Sequence, residues 1–212
     1  AVGWPGTPPG PMVAPGTYTV RLSVGDEVME QPVRILPDPR LEITQADFDA
    51  QHALLIAIRD SIDAAHETVN EIRRVRSLVD SAMSRAKGVD GEEEIKEAGK
   101  SLKEKMSAIE EEIIQTRSKS AQDPLNFPIK INDKLAGVAY AVEGDYPPTD
   151  QARAVYEMLK GRLDEQLAAY EKVIAEDVPA FNDLVASHNV PAVPPPADDE
   201  AEKGEVAATA GR

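Results

Sequence analysis

Apolar side chains recur along residues 44–87 in steps of three, four or seven, at Phe48, Leu55, Ile58, Ile62, Ala65, Val69, Ile72, Val79, Met83 and Ala86. This spacing keeps one side of an α-helix apolar, so the stretch from Thr44 to Lys87 predicts a single long amphipathic helix. At 1.5 Å per residue it would run roughly 65 Å, which requires other helices alongside it. Gln51 and Arg76 interrupt the stripe. A charge at a core position is costly unless paired, so Arg76 either meets an acidic neighbour that fixes the register or snorkels from the edge of the seam.

Local signals bound this helix. Thr44 is placed to cap it, Asp47 to reach back, and Ile43 to staple onto Phe48. Gly88-Val89-Asp90-Gly91 offers two left-handed positions, and Glu92, Glu93 and Glu94 suit the start of a second, antiparallel helix. That helix carries Ile95, Leu102, Met106, Ile109 and Ile113 and is expected to end before Asp123-Pro124. Ile131, Leu135, Val138, Ala139 and Val142 fit one face of a short helix closed by Gly144. Thr149 caps a third long helix with Val155, Tyr156, Leu159, Leu163, Leu167, Tyr170 and Ile174 on its apolar side. Pro179 should bend or restart that helix before Phe181, Leu184 and Val185.

Ahead of the helices the period drops to two. Tyr18, Val20, Leu22 and Val24 alternate with Thr17, Thr19, Arg21 and Ser23, the pattern of a half-buried strand. Gly25-Asp26 supplies a turn, and Val28 to Leu36 a second strand that Pro32 demotes to an edge or a bulge. A lone hairpin is marginal in water, so either part of a sheet is missing or the hairpin packs on the helices. The fold class is therefore mainly α: an antiparallel bundle of three long helices plus one short helix, preceded by a β-hairpin. The expected divisions are a Pro/Gly-rich linker at 1–15, the hairpin at 16–40, the bundle at 41–189 and a disordered acidic tail at 190–212.

Composition narrows the function classes. Of 212 residues, 42% are hydrophobic but only 4% aromatic, and 17 are proline, a balance that suits helices better than a large sandwich. With 38 acidic against 23 basic side chains the net charge is -15, which repels nucleic-acid phosphates and anionic bilayers, and no apolar run is long enough to insert in a membrane. The lack of cysteine removes disulfides, thiolate metal sites and cysteine nucleophiles. The chain begins at Ala1 with no secretory leader pattern, and is expected to be the carboxy-terminal part of something larger.

Candidate chemistry is sparse. His52 and His66 lie about 21 Å apart along one helix and cannot share an ion. His66-Glu67-Thr68-Val69-Asn70 has the HExxH zinc-protease spacing with asparagine where the second ligand must stand, and His188 reads as a solvated helix end. Glu92 to Glu94 and Glu110 to Glu112 read as solvated, dipole-matching runs, and Asp90-Gly91 lacks the alternating oxygens of a calcium loop. Tyr140, Tyr146, Tyr156 and Tyr170 could line a sugar platform, but at helical spacing they read as core edges. No catalytic, cofactor-binding or metal-binding residue is assigned.

Two sets of segments do carry a resemblance. Pro15-Gly16-Thr17-Tyr18-Thr19-Val20 resembles the start of the penultimate strand of immunoglobulin-like and flagellar-hook-cap-like sandwiches, where a tyrosine at the sheet corner tethers the preceding loop. The run from Gly10 to Leu22, Pro37-Asp38-Pro39-Arg40, Ile43 to Gln51, Leu125 to Leu135, Gly144-Asp145 and Pro148-Thr149 occur in an order resembling the carboxy-terminal region of large bacterial exported proteins. Those begin with a sortilin-like β-propeller of neuraminidase-type (BNR) repeats and are often labelled glycosyl hydrolases. The resemblance spans about Gly10 to Val185. It implies an upstream propeller, an Ig-like linker domain whose last strands survive here, and a periplasmic or extracellular location. No propeller blade or propeller active-site residue lies in this chain, so no catalytic position carries over.

The expected function is a non-catalytic helical accessory module that stabilises or positions an upstream β-propeller of the same polypeptide, or mediates contact with another protein. The alternative is part of a glycoside hydrolase whose catalytic residues lie outside this chain. A homodimer through the helix at 44–87 is a further expectation for the long stripe.

Overall fold

A computed structural model of the chain describes residues 10–120 and 123–193. The expected linker residues 1–9, with Trp4, and the expected tail beyond residue 193 lie outside them. Among the described residues the fold is mainly helical with an antiparallel hairpin at its start. Two strands, β1 (Gly16–Val24) and β2 (Glu27–Ile35), precede five helices: α1 (Gln45–Arg85), α2 (Glu92–Ile113), α3 (Ile131–Val142), α4 (Asp150–Lys172) and α5 (Val178–Ser187). By contact, the chain divides into two compact units, one holding the residues up to His66 with Glu111–Gln166 and the other holding Glu67–Glu110 with the residues from Leu167 on.

The entry into α1 is a reciprocal cap. Thr44 donates its backbone N–H (3.0 Å) and its hydroxyl (2.7 Å) to Asp47 Oδ2, while the Asp47 N–H donates back to Thr44 Oγ1 at 3.2 Å. These bonds hold the Asp47 carboxyl below the usual carboxylate range. The expected stripe is buried by the chain itself, with Ile58, Ala65, Ile72 and Val79 at 0% exposure. It is wider than the sequence spacing alone requires, because Leu54, Ser61, Val75 and Ala82 are buried beside it. Each buried aliphatic side chain contributes about 1.5–3 kcal/mol, and the apolar surface expected to meet a second copy is already covered.

In the first unit the other exception to the stripe finds its reason. Gln51 is buried, and its carboxamide N–H2 donates to the carbonyls of Val142 (2.8 Å), Gly144 (2.5 Å) and Tyr146 (3.2 Å). Carbonyls past the end of α3 have no helical partner, and a polar side chain from α1 satisfies them. Gly144, with φ of 144°, turns the chain there. Tyr156 of α4 is buried with its hydroxyl 3.2 Å from Ser61 Oγ and donating to the Ala57 carbonyl at 3.3 Å. The Ala152 N–H donates to Thr149 Oγ1 at 3.1 Å, the expected cap of α4.

In the second unit α1 and α2 run antiparallel after a turn at Gly88 (φ 77°) and Gly91 (φ 89°), and Glu92 accepts the Gly88 N–H at 2.7 Å. Arg73 and Arg76 both reach Glu110, at 2.7 and 2.5 Å, and Arg76 donates to Ser107 Oγ at 2.7 Å. Lys103 pairs with Asp80 one step along the same register. Arg76 thus has the acidic partner expected of it, while Val75 fills the core position beside it. The Glu110 to Glu112 run is not simply solvated: Glu110 is 2% exposed.

Three expectations are corrected. The second helix ends at Ile113, well short of the Asp123-Pro124 stop expected for it, because no large apolar side chain between Ile114 and Leu125 gives it a face to bury. Asp123 instead accepts the backbone N–H groups of Lys119 and Ser120 and opens a short 3-10 turn, Asp123–Leu125. Val155, expected on the apolar side of the third long helix, is exposed. The restart expected at Pro179 is present: Val173–Asp177 forms a π-helical segment in which the Val178 N–H reaches the Val173 carbonyl, and a new α-helical stretch begins at Val178. The widened turn accommodates the proline ring and its missing donor, and α5 follows with proline in its first turn. Past α5, Val190 and Val193 are buried and Asn182 bonds both backbone groups of Val193, so the first residues of the expected tail belong to the fold.

Candidate functional site

The hairpin is where the fold leaves its chemistry unfinished. Residues facing each other across an antiparallel pair share a face, and the register Tyr18↔Val33, Val20↔Gln31, Leu22↔Met29, Val24↔Glu27 collects the apolar side chains on one side. The other side carries Thr17, Thr19, Arg21, Ser23, Glu30 and Arg34, with an Arg21–Glu30 ion pair at 2.6 Å. The apolar side is not half-buried as the alternation predicts: Val20 is 57% exposed, Leu22 54%, Val24 60% and Met29 52%. Nor does it lie on the helices, the other expected arrangement. Among the described residues nothing covers it.

The base of the hairpin is anchored. Tyr18 donates its hydroxyl to the Ala14 carbonyl at 2.6 Å, tethering the segment before β1 as the sequence suggests. Gln45 donates to the Pro15 carbonyl at 3.0 Å, and His52 Nδ1 donates to the Met12 carbonyl at 3.0 Å. Because a carbonyl only accepts, this bond places the proton on Nδ1. Beside these tethers lies an open groove of about 530 Å³, lined by Met12, Ile35, Leu36, Phe48 and His52 among others. Through Ile35 the groove continues the apolar side of the sheet.

The residues singled out for catalysis or metal binding do not converge. No group of three or more His, Asp or Glu side chains able to hold a metal ion exists among the described residues. His66 is half-buried, with burial lowering its pKa, and its Nε2 lies 3.5 Å from Asn132 Nδ2. Asp133, next along α3, is pushed up by burial, and the Oδ1 atoms of Asn132 and Asp133 have no partner. His188 lies over Gly91 and 3.8 Å from Glu94. The four tyrosines form no platform: Tyr140 is exposed, Tyr146 bonds the carbonyls at the end of α3, Tyr156 is core and Tyr170 buries its hydroxyl. Compared with protein-family models, curated proteins and solved structures, the chain matches none. Sequence spacing located the strands and their apolar side, but it could not show that this side stays open.

Proposed function

We propose that this chain is a non-catalytic interaction module whose hairpin is completed by a β-rich domain, belonging to the same polypeptide or to another protein. The observation that carries this reading is the uncovered apolar side of β1 and β2 beside a well-packed helical body. Contiguous apolar surface rimmed by polar residues marks an interaction site, and two strands alone do not make an independently stable sheet. The resemblance to the end of exported propeller proteins agrees with a β-rich neighbour in cis.

The test has two parts. An antibody raised against this chain should detect a native product several-fold larger than 22.9 kDa in the source cells. Limited proteolysis of that product should leave the hairpin intact under conditions that cut it in the isolated chain. Equal cutting in both would overturn the docking reading, and a band at 22.9 kDa would move the partner from cis to trans. Glycoside and sialoside substrates should show no turnover by this chain alone.

A further inference from the structure

The hairpin has two outer edges, and they are not equivalent. Gly25 has φ of 59° and no positive φ occurs at Asp26, which makes the connection a two-residue turn of type II′. In such a hairpin the residues flanking the turn, Val24 and Glu27, exchange both backbone bonds, and bonded and non-bonded pairs alternate from there. Counting back, the inward-bonding pairs are 24/27, 22/29, 20/31, 18/33 and 16/35. The backbone groups of Thr17, Thr19, Arg21 and Ser23 therefore point outward from β1, and those of Val28, Glu30, Pro32 and Arg34 outward from β2. Pro32 thus costs the hairpin no ladder bond, yet it removes an interior donor from the four outward positions of β2. The outer edge of β1 keeps every donor and acceptor.

We infer that the partner adds an extended strand to the outer edge of β1, with apolar side chains at every second position, and that Pro32 closes the β2 edge to the same pairing. This rests on the docking reading above and assigns it a place and a polarity. A strand seated there satisfies the outward groups of Thr17, Thr19, Arg21 and Ser23, and its alternate side chains extend the apolar side formed by Tyr18, Val20 and Leu22. The chain's own segments outside the structure do not fit the description. Residues 1–9 contain Pro5, Pro8 and Pro9, and residues 194–212 begin with three prolines and continue into acidic side chains. A second copy is disfavoured by charge: the hairpin is close to neutral, with two arginines against three carboxylates, but each copy would bring a chain of net charge -15.

The test uses the full chain, labelled with 15N, and a soluble nine-residue peptide of alternating valine and threonine flanked by lysines. Titration to millimolar concentration should shift the amide resonances of Thr17, Thr19, Arg21 and Ser23 and slow their exchange, leaving Val28, Glu30 and Arg34 unchanged. Thr19→Pro removes one outward donor without touching the ladder and should weaken binding about tenfold. Pro32→Thr should make the β2 amides respond as well. Response at both edges or at β2 alone in the unmodified chain overturns the inference while leaving the docking reading in place. So do shifts confined to the methyl groups of the apolar side, which would mean a partner that covers the face without pairing. Protection of the β1 amides that grows with protein concentration, without peptide, would assign the edge to a second copy and overturn it too. No response at any concentration overturns the edge assignment, and the proteolysis comparison then decides whether the docking reading survives.

Discussion

Three buried polar side chains show how much a single residue decides in this fold. Removing Gln51 leaves the carbonyls of Val142 and Gly144 without their donor. Unmade buried bonds cost about 1–3 kcal/mol, so Gln51→Leu should lower the urea midpoint of unfolding despite adding apolar volume. Glu110 holds two arginines from a site 2% exposed. Glu110→Leu leaves Arg73 and Arg76 able to reach water and should cost about 1 kcal/mol, as should Arg76→Leu, which leaves Glu110 paired with Arg73; replacing both arginines by leucine leaves the buried carboxylate unpaired and should cost about 3–5 kcal/mol. Tyr170 behaves oppositely, since its hydroxyl is buried without a partner. Burial first, and then the Glu71 carboxylate, push its pKa from 10.0 to about 12. The unfolded chain releases this proton at lower pH than the folded chain, so the stability associated with the neutral phenol is full below pH 10 and falls as pH rises towards 12. Tyr170→Phe should therefore be neutral or stabilising at pH 7 and should flatten the loss of stability between pH 10 and 12, read by denaturant titration at each pH. Gln51 and Arg76 were legible in sequence as breaks in the stripe, and Arg76 also as one half of a pair. What Gln51 binds was not legible, because its acceptors lie more than 90 residues away along the chain.

Element boundaries follow local chemistry closely where glycine or a cap is involved. The turn between α1 and α2 was readable from Gly88 and Gly91, and both adopt positive φ. Gly91 has a second constraint that no local pattern reveals: a Cβ there would lie 2.2 Å from the His188 ring. Gly91→Ala should therefore suffer both left-handed strain of about 1–2 kcal/mol and a clash. Adding His188→Ala should recover the clash and not the strain, so a double-mutant cycle of unfolding free energies will show positive coupling. The end of α2 was placed too late, whereas the restart at Pro179 was legible and only its π-helical form was not. A helix persists while it has a face to bury, and its local breakers matter only if the turn cannot adapt. α2 lost its face ten residues before Asp123-Pro124, and the segment before Pro179 kept its face by widening into a π turn.

At the scale of the molecule, the helical period and the strand period each predicted the right class of structure, but burial could be predicted only for the helices. Helices bring their own partners through short connections, as α1 and α2 do, whereas a two-stranded sheet requires strands that this hairpin does not contain. Replacing exposed Val20 and Leu22 by lysine should accordingly leave the thermal midpoint of the isolated chain within about 1 °C, since surface changes away from special features alter stability little. It should also reduce binding of a hydrophobic fluorescent dye. A fall in the midpoint of several degrees would mean that these side chains support the fold after all. Pro32 has one more consequence, and it is genetic. Every proline codon lies a single base from codons for serine, threonine and alanine, so one nucleotide change at position 32 gives the hairpin a second pairing edge. A protein with two open edges can be joined on both sides, and head-to-tail joining that does not close grows into filaments. On that reading the proline is a chain terminator for assembly, at a position where it costs the hairpin no ladder bond.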